Sequence, residues 1–227
     1  MRLNNIVEGI EGVAFMAFAF LTPFLRARRA KWGATDAEVK TKLPGDELMP
    51  HPKWGFTHAV TVKAPPAEVW PWIVQIGQGR GGFYSYEFLE NLVGCDIHNA
   101  DRIIPDFQNL KVGDAIKLAA KVPGLPVAVV ELNHALVLHV KADTLITSGA
   151  KFGEATPQKY FGTNWLWVLE KIDARTTRLI SRFLIDYSPG LGSRLTYGTC
   201  LVEPISFVMS RKMLLGIKQR AEAARKV

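Results

Sequence analysis

Residues 64–118 run from APPAEVWPWIVQIGQGRGGFYSYEFLENL through CDIHNADRIIPDFQNLKVGDAIKL, and this stretch limits what the chain can fold into more than any other. Just before it, Phe56, His58, Val60 and Val62 alternate with Thr57, Ala59, Thr61 and Lys63, the period of two of a half-buried strand. Val69, Trp72, Ile73 and Ile76 then share one face of a helix, and Pro66 suits its first turn. Pro71 removes a backbone donor near that start and predicts a kink. Gly77, Gly79, Gly81 and Gly82 end the helix in a turn, and Ser85 starts a second helix reaching Leu92. Strand, two short helices and a further strand make the opening of a fold in which a sheet wraps a long helix and encloses a cavity.

The rest of the chain fits that opening. Segments 115–119, 127–132, 136–141, 144–148, 164–172 and 177–187 read as strands separated by Pro, Gly, Asn or Asp signals, and their short connections imply an antiparallel meander. Ile205, Met209, Met213, Ile217 and Ala221 recur every four residues, with Val208 and Leu215 beside them. That spacing predicts a long amphipathic helix lying across the concave face of the sheet.

With 227 residues, 48% of them hydrophobic and 22% charged, the chain has apolar side chains enough for one domain and an appendage. Cys95 and Cys200 form no CxxC or CxxH pair, so neither a zinc framework nor a disulfide scaffold is indicated. The net charge of +7 sits at the ends: residues 1–31 carry five basic and two acidic side chains, residues 205–227 six and one, and the middle 17 against 18. Basic ends around a neutral body suit an anionic lipid surface better than a nucleic-acid groove, and no nucleic-acid partner is expected.

Residues 12–25, GVAFMAFAFLTPFL, carry no charge, and Arg26, Arg28, Arg29 and Lys31 come directly after them. Extended back to Ile6 the segment makes a marginal transmembrane helix that includes Glu8 and Glu11. Positive charge on its C-terminal flank places the downstream chain on the cytoplasmic side of an inner membrane, whether residues 6–31 span or lie in the interface. Docking of this helix on the folded domain or on a partner chain is the alternative. Residues 32–55, interrupted by Pro44, Gly45, Pro50 and Pro52, read as a linker, with Thr35 or Asp36 capping a short helix through Lys42. The expected organisation is an apolar helix with a basic flank at 1–31, a linker at 32–55 and a folded domain at 56–227.

On the stretches WGATDAEVKTKLPGDEL, APPAEVWPWIVQIGQGRGGFYSYEFLENL, DIHNADRIIPDFQNLKVGD and EPISFVMSRKMLLGIKQRAE, the chain resembles the SRPBCC family of START-like proteins, in particular its bacterial polyketide-cyclase-like and uncharacterised group. The resemblance implies an α+β helix-grip fold: a curved seven-stranded antiparallel sheet around a long C-terminal helix, two short helices after the first strand, and a hydrophobic cavity. Here an N-terminal apolar helix is added, a feature of similar proteins that favours an anchor. The family includes lipid and sterol carriers, hormone receptors and aromatic polyketide cyclases, so the fold leaves function open.

Several residues are candidates for a site. Asp96, His98, Asp101 and Arg102 place two carboxylates, an imidazole and a guanidinium within seven positions, suited to acid–base work, to ligand contact or to a loop network. They fall short of a closed transition-metal set, and neither a metal nor a cofactor is expected. Arg80, beside Tyr84 and Tyr86 in the glycine turn, is placed to meet an acidic group at a cavity mouth, although the GQGRGG run comes after a helix and lacks the Lys and Ser or Thr of a P-loop. Trp165 and Trp167 share a strand face with Leu169 and are expected to line the interior. His58 reads as a hydrogen-bonded core histidine. Arg182, alternating with Ile180 and Leu184, must snorkel, pair, or touch a polar guest group.

The first functional expectation is a carrier or sensor of a lipid-like or polycyclic molecule at the cytoplasmic membrane face. The second is a cyclase or dehydratase in which Asp96, His98 or Asp101 moves a proton. A third is a membrane-associated structural module. No GxSxG elbow supports covalent hydrolysis.

Overall fold

A computed structural model describes residues 3–141 and 160–224, residues 3–6 as backbone alone. Helices α1 (Leu3–Leu21), α2 (Arg26–Arg29) and α3 (Asp36–Lys40) precede strand β1 (Trp54–Val62). Helices α4 (Pro66–Val74) and α5 (Glu87–Leu92) come after it. Next are strands β2 (Ala115–Ile116), β3 (Leu125–Glu131), β4 (Ala135–Val140), β5 (Phe161–Asp173) and β6 (Thr176–Tyr187), and the chain ends in α6 (Leu191–Tyr197) and α7 (Val202–Ala223). Pro71 lies inside α4 without ending it.

The strands pair antiparallel in the order β1-β6-β5-β4-β3-β2, a meander whose last strand takes the first as its neighbour. Six strands are described where seven were expected; the expected strand at 144–148 lies outside the described residues. Tight turns have local causes. Asn133, between β3 and β4, takes a left-handed φ of 59°, which its short polar side chain tolerates. Between β5 and β6, Asp173 accepts the Arg175 amide at 2.7 Å.

Alternation sorts each strand between two faces. On the concave side Val60, Val62, Leu136, Leu138, Trp167 and Leu179 join Trp72 and Ile73 of α4 and Met213, Leu214 and Ile217 of α7 in the main core. The expected four-residue stripe of α7 is therefore split: Met213, Ile217 and Ala221 are buried, whereas Ile205 at its start is exposed. Gly216 lets this helix approach the chain closely, since a Cβ there would fall 2.4 Å from the Tyr84 carbonyl oxygen.

The convex face is covered by the segment expected as a linker. Thr35 caps α3 through a full capping box with Glu38. Glu38 then reaches Arg178 on β6 with contacts of 2.6 and 3.0 Å, which hold its carboxyl down at about 2. Leu43 packs with Ala59, Val137, Leu166 and Ile180, and the Gly45 carbonyl accepts Asn164 Nδ2 at 2.8 Å. Gly45 has a φ of 88°, and a Cβ there would meet Val137 at 2.7 Å, so two independent constraints demand glycine. A polar, proline-interrupted stretch reads as a tether because partners such as Asn164 and Arg178 lie more than a hundred residues away; in the fold it is a lid over one face of the sheet.

The N-terminal segment docks too. Gly9 and Gly12 bring α1 against α5: a Cβ at Gly12 would lie 2.8 Å from Leu89 and 2.9 Å from Tyr86. Phe15, Met16 and Ala19 pack with Tyr86, Phe207 and Val208. Arg29, a member of the basic flank in the sequence, is buried: its Nη1 donates to Ala19 and Thr22 carbonyls at the end of α1, and its Nε and Nη2 fork onto Glu203 at 3.0 and 2.8 Å. The C-terminal cations are also engaged, Lys212 with Glu8 at 3.2 Å and Arg220 with Asp101 at 2.8 Å. Among the described residues no single helix is long and apolar enough to cross a membrane; the Val7–Leu21 and Pro23–Arg29 helices pass together only as a pair bent by 87°.

Candidate functional site

Between α1, α5, the first half of α7 and one end of the sheet lies a cavity of about 750 Å³. Its floor is a row of aromatic rings fixed by strand register. Phe56 of β1 faces Phe183 of β6, which faces Trp165 of β5, with ring centroids 5.4 and 5.8 Å apart. One step further along, His58, Ser181 and Trp167 form the next row, all fully buried, and the Trp167 ring lies tilted against Trp165 with centroids 4.5 Å apart. Trp165 thus lines the space, and Trp167 lies behind it in the main core. Met209 and Met213 of α7 and Met16 of α1 supply adaptable side chains opposite.

The turn between α4 and α5 aims alternate residues at different neighbours. Asn99 Oδ1 accepts the Phe83 and Tyr84 amides at 3.1 and 2.7 Å, holding Tyr84 at a left-handed φ of 57° that is costly for a bulky residue. Phe83 and Ser85 line the cavity as a result. Tyr84 instead points into the core, its hydroxyl accepting Gln75 Nε2 at 2.9 Å, and burial drives its pKa up. Tyr86 turns to α1 and donates to Glu11 at 3.2 Å; burial and that carboxylate push it up to about 12.

Among the described residues, the lining contains one carboxylic acid, Glu90. Ser85 Oγ donates to its Oε1 at 2.6 Å, while its Oε2 is buried with no partner among the described residues. Burial, reinforced by Glu87, raises its pKa to about 7. Cys95 lies on the same wall, and burial next to Glu90 pushes its thiol up. Ser210 also faces the cavity and contacts His58 Nδ1 at 3.0 Å, the other ring nitrogen lying 2.9 Å from the Arg29 carbonyl. Burial holds His58 neutral, with a pKa lowered to about 3.

The chain has a helix-grip fold. No family model and no curated protein matches it. Solved structures similar to it include a protein from Mesorhizobium loti (14% identity, 74% of this chain and 97% of the other, TM-score 0.37). An aromatase/cyclase from a Streptomyces species is also similar (13% identity, 76% and 95%, TM-score 0.34). So is a polyketide-cyclase-like protein from Corynebacterium glutamicum (14% identity, 78% and 96%, TM-score 0.35). These likenesses bear on neither ligand nor chemistry.

The residues singled out in the sequence are dispersed by the fold. Only Trp165 among them lines the cavity. Arg80 folds back on the C-terminal end of α4, donating to the Val74, Ile76 and Phe107 carbonyls at 2.8, 3.1 and 3.2 Å with its guanidinium over the Phe107 ring. Arg182 lies on the convex face, where it bonds Thr57, Thr41, Glu38, Val39 and Asp46 beside a second hollow of about 470 Å³. The side chains of Asp96, His98 and Asp101 are 63%, 76% and 87% exposed. His98 lies 3.3 Å from Asp96 and 3.7 Å from Glu87, while Asp101 pairs with Arg220 rather than with its neighbour Arg102. They form an outward loop network, away from the cavity. Glu90 was missed; the one signal for it is that it stands one residue after Leu89 and three before Val93, on the apolar side of a helix too short for periodicity to be decisive.

Proposed function

We propose that the protein binds a hydrophobic small molecule in this cavity and exchanges it with a membrane surface against which α1 rests. The observation that carries the reading is the continuity of the cavity with exposed apolar surface. Val13 and Phe20 of α1, Leu92 at the end of α5, Val93 after it, and Ile205 of α7 line the cavity and are exposed at its rim. Leu21 and Phe24, each 78% exposed, extend that surface along the N-terminal segment, and the exposed Arg26 and Arg28 lie just beyond them. An apolar rim next to basic side chains suits an anionic lipid interface. Each methylene removed from water contributes about 0.8 kcal/mol, so a guest burying ten carbons gains roughly 8 kcal/mol before association costs. The outward position of Asp96, His98 and Asp101 favours carriage or sensing over proton transfer by those groups.

The test combines two titrations of the full chain. The neutral fluorophore phenylnaphthylamine is expected to bind saturably with one site, and Trp165→Ala to weaken it by about tenfold through lost wall area. Vesicles of phosphatidylglycerol and phosphatidylcholine are expected to co-sediment wild type, and Leu21→Asp with Phe24→Asp to abolish that without changing fluorophore affinity. Non-saturable fluorophore binding overturns the cavity reading; unchanged sedimentation of the double variant overturns the membrane reading.

A further inference from the structure

We infer that the cavity selects a neutral amphiphile ending in a hydroxyl, seated with that hydroxyl on Glu90 Oε2, and discriminates against guests with an acidic head. This deepens the proposed binding function and rests on it. Among the described residues, the lining holds no Lys, Arg or His, so nothing there neutralises an acidic guest. The cations nearest in sequence to the α7 lining are engaged elsewhere: Arg211 lies over the rings of Phe15 and Trp32, and Lys212 is paired with Glu8. Of the other polar side chains on the wall, Ser85 is engaged by Glu90 and Ser210 by His58, and Ser206 and Cys95 complete the set.

Glu90 Oε2 is different. It is a buried carboxyl oxygen without a partner among the described residues, on a residue that lines an apolar space, a state that a guest hydrogen-bonding group relieves. A hydroxyl suits it whichever form the carboxyl takes. An ionised Oε2 accepts the guest O–H, and a protonated Oε2 donates to the guest oxygen. An ether or ketone pairs with the protonated form alone, and an acidic head meets either a like charge or an uncompensated burial of its own. The polar end therefore lies at the α5 wall, and the apolar body runs over Trp165 and Phe183 toward the methionines of α7.

Displacement of bound phenylnaphthylamine by dodecanol, methyl dodecyl ether, dodecanoic acid and dodecylamine tests this. In wild type the alcohol is expected to displace the fluorophore about tenfold more tightly than the ether or the acid, the size of one good hydrogen bond to a carboxyl. Glu90→Leu is expected to bring alcohol and ether within threefold of each other. Glu90→Gln keeps the shape and the Ser85 contact while presenting an amide, and it is expected to erase the same preference if Leu at this position disturbs folding. Equal binding of alcohol and ether to wild type, a preference that survives in Glu90→Gln, or tighter binding of the amine than of the alcohol would each overturn the inference. Because fluorophore binding is measured first, failure of the cavity itself is seen separately from failure of the hydroxyl preference.

Discussion

The two faces of the sheet solve the same problem in opposite ways. On the convex face, residues 32–50 bring charged groups onto the strands and pair them, Glu38 with Arg178 and Asp46 with Arg182, under a capped helix and a buried leucine. On the concave face at the α1 end, the wall is apolar, the space is unfilled, and the Glu90 carboxyl has one oxygen unmatched among the described residues. A surface closed by its own chain belongs to the fold; one left hollow and short of a hydrogen bond leaves room for another molecule.

The largest effect that can break this contrast comes from Arg182. Its side chain is 8% exposed and donates to five groups of the cover and of β1, so Arg182→Ala leaves Asp46 buried without its cation. A loss of about 3–5 kcal/mol in urea unfolding is expected, the range for breaking one partner of a buried pair. Fluorophore affinity of the folded variant is expected to be unchanged. A loss below about 1 kcal/mol would mean that the convex cover is not part of what holds the sheet.

That cover was the least legible part of the fold. Alternation in 56–62 and the stripe on α7 report contacts made by regular elements, and both elements formed where the pattern placed them. Residues 32–50 instead depend on Arg178, Arg182 and Asn164, partners distant in sequence whose own side chains gave no sign of where they would point. The site divides in the same manner. Trp165 was legible because strand period fixes its face. Arg80, Tyr84 and Tyr86 were read from the company they keep in a glycine turn, yet a left-handed residue at Tyr84 sends successive side chains to the core, the cavity and α1. Glu90 escaped because a six-residue helix is too short for its faces to be told apart.

The second test is the response of the concave side to acid. His58 titrates near 3 in the fold and near 6.5 when unfolded, so the unfolded chain binds the extra proton between those values. Stability from this group is complete above pH 6.5 and declines as pH falls, by about 2–3 kcal/mol at pH 4.5. Unfolding free energies measured from pH 7 to pH 4.5 check the slope, and His58→Asn is expected to flatten this contribution. An unaltered slope in that variant would show that other groups govern the acid response.

The smallest effect sharpens the comparison most, because it is a gain. Glu90 has a folded pKa of about 7 against an ordinary 4.5, so the fold favours its protonated form. Its burial costs nothing extra below pH 4.5, costs progressively more as pH climbs toward 7, and stays constant above that. Glu90→Gln removes the charge and keeps an oxygen for Ser85 to donate to. The variant is expected to match wild type at pH 4.5 and to exceed it by about 2 kcal/mol at pH 8, a figure reduced from the full linkage value for solvent at the cavity rim. The convex ion pairs predict the reverse sign, since replacing Glu38 by Gln sacrifices a carboxylate held by Arg178 and lowers stability at pH 8. Parallel thermal unfolding of the two glutamine variants at both pH values therefore reads the difference between the faces directly: a carboxylate paired by the fold is missed when neutralised, and one buried without a cation is not.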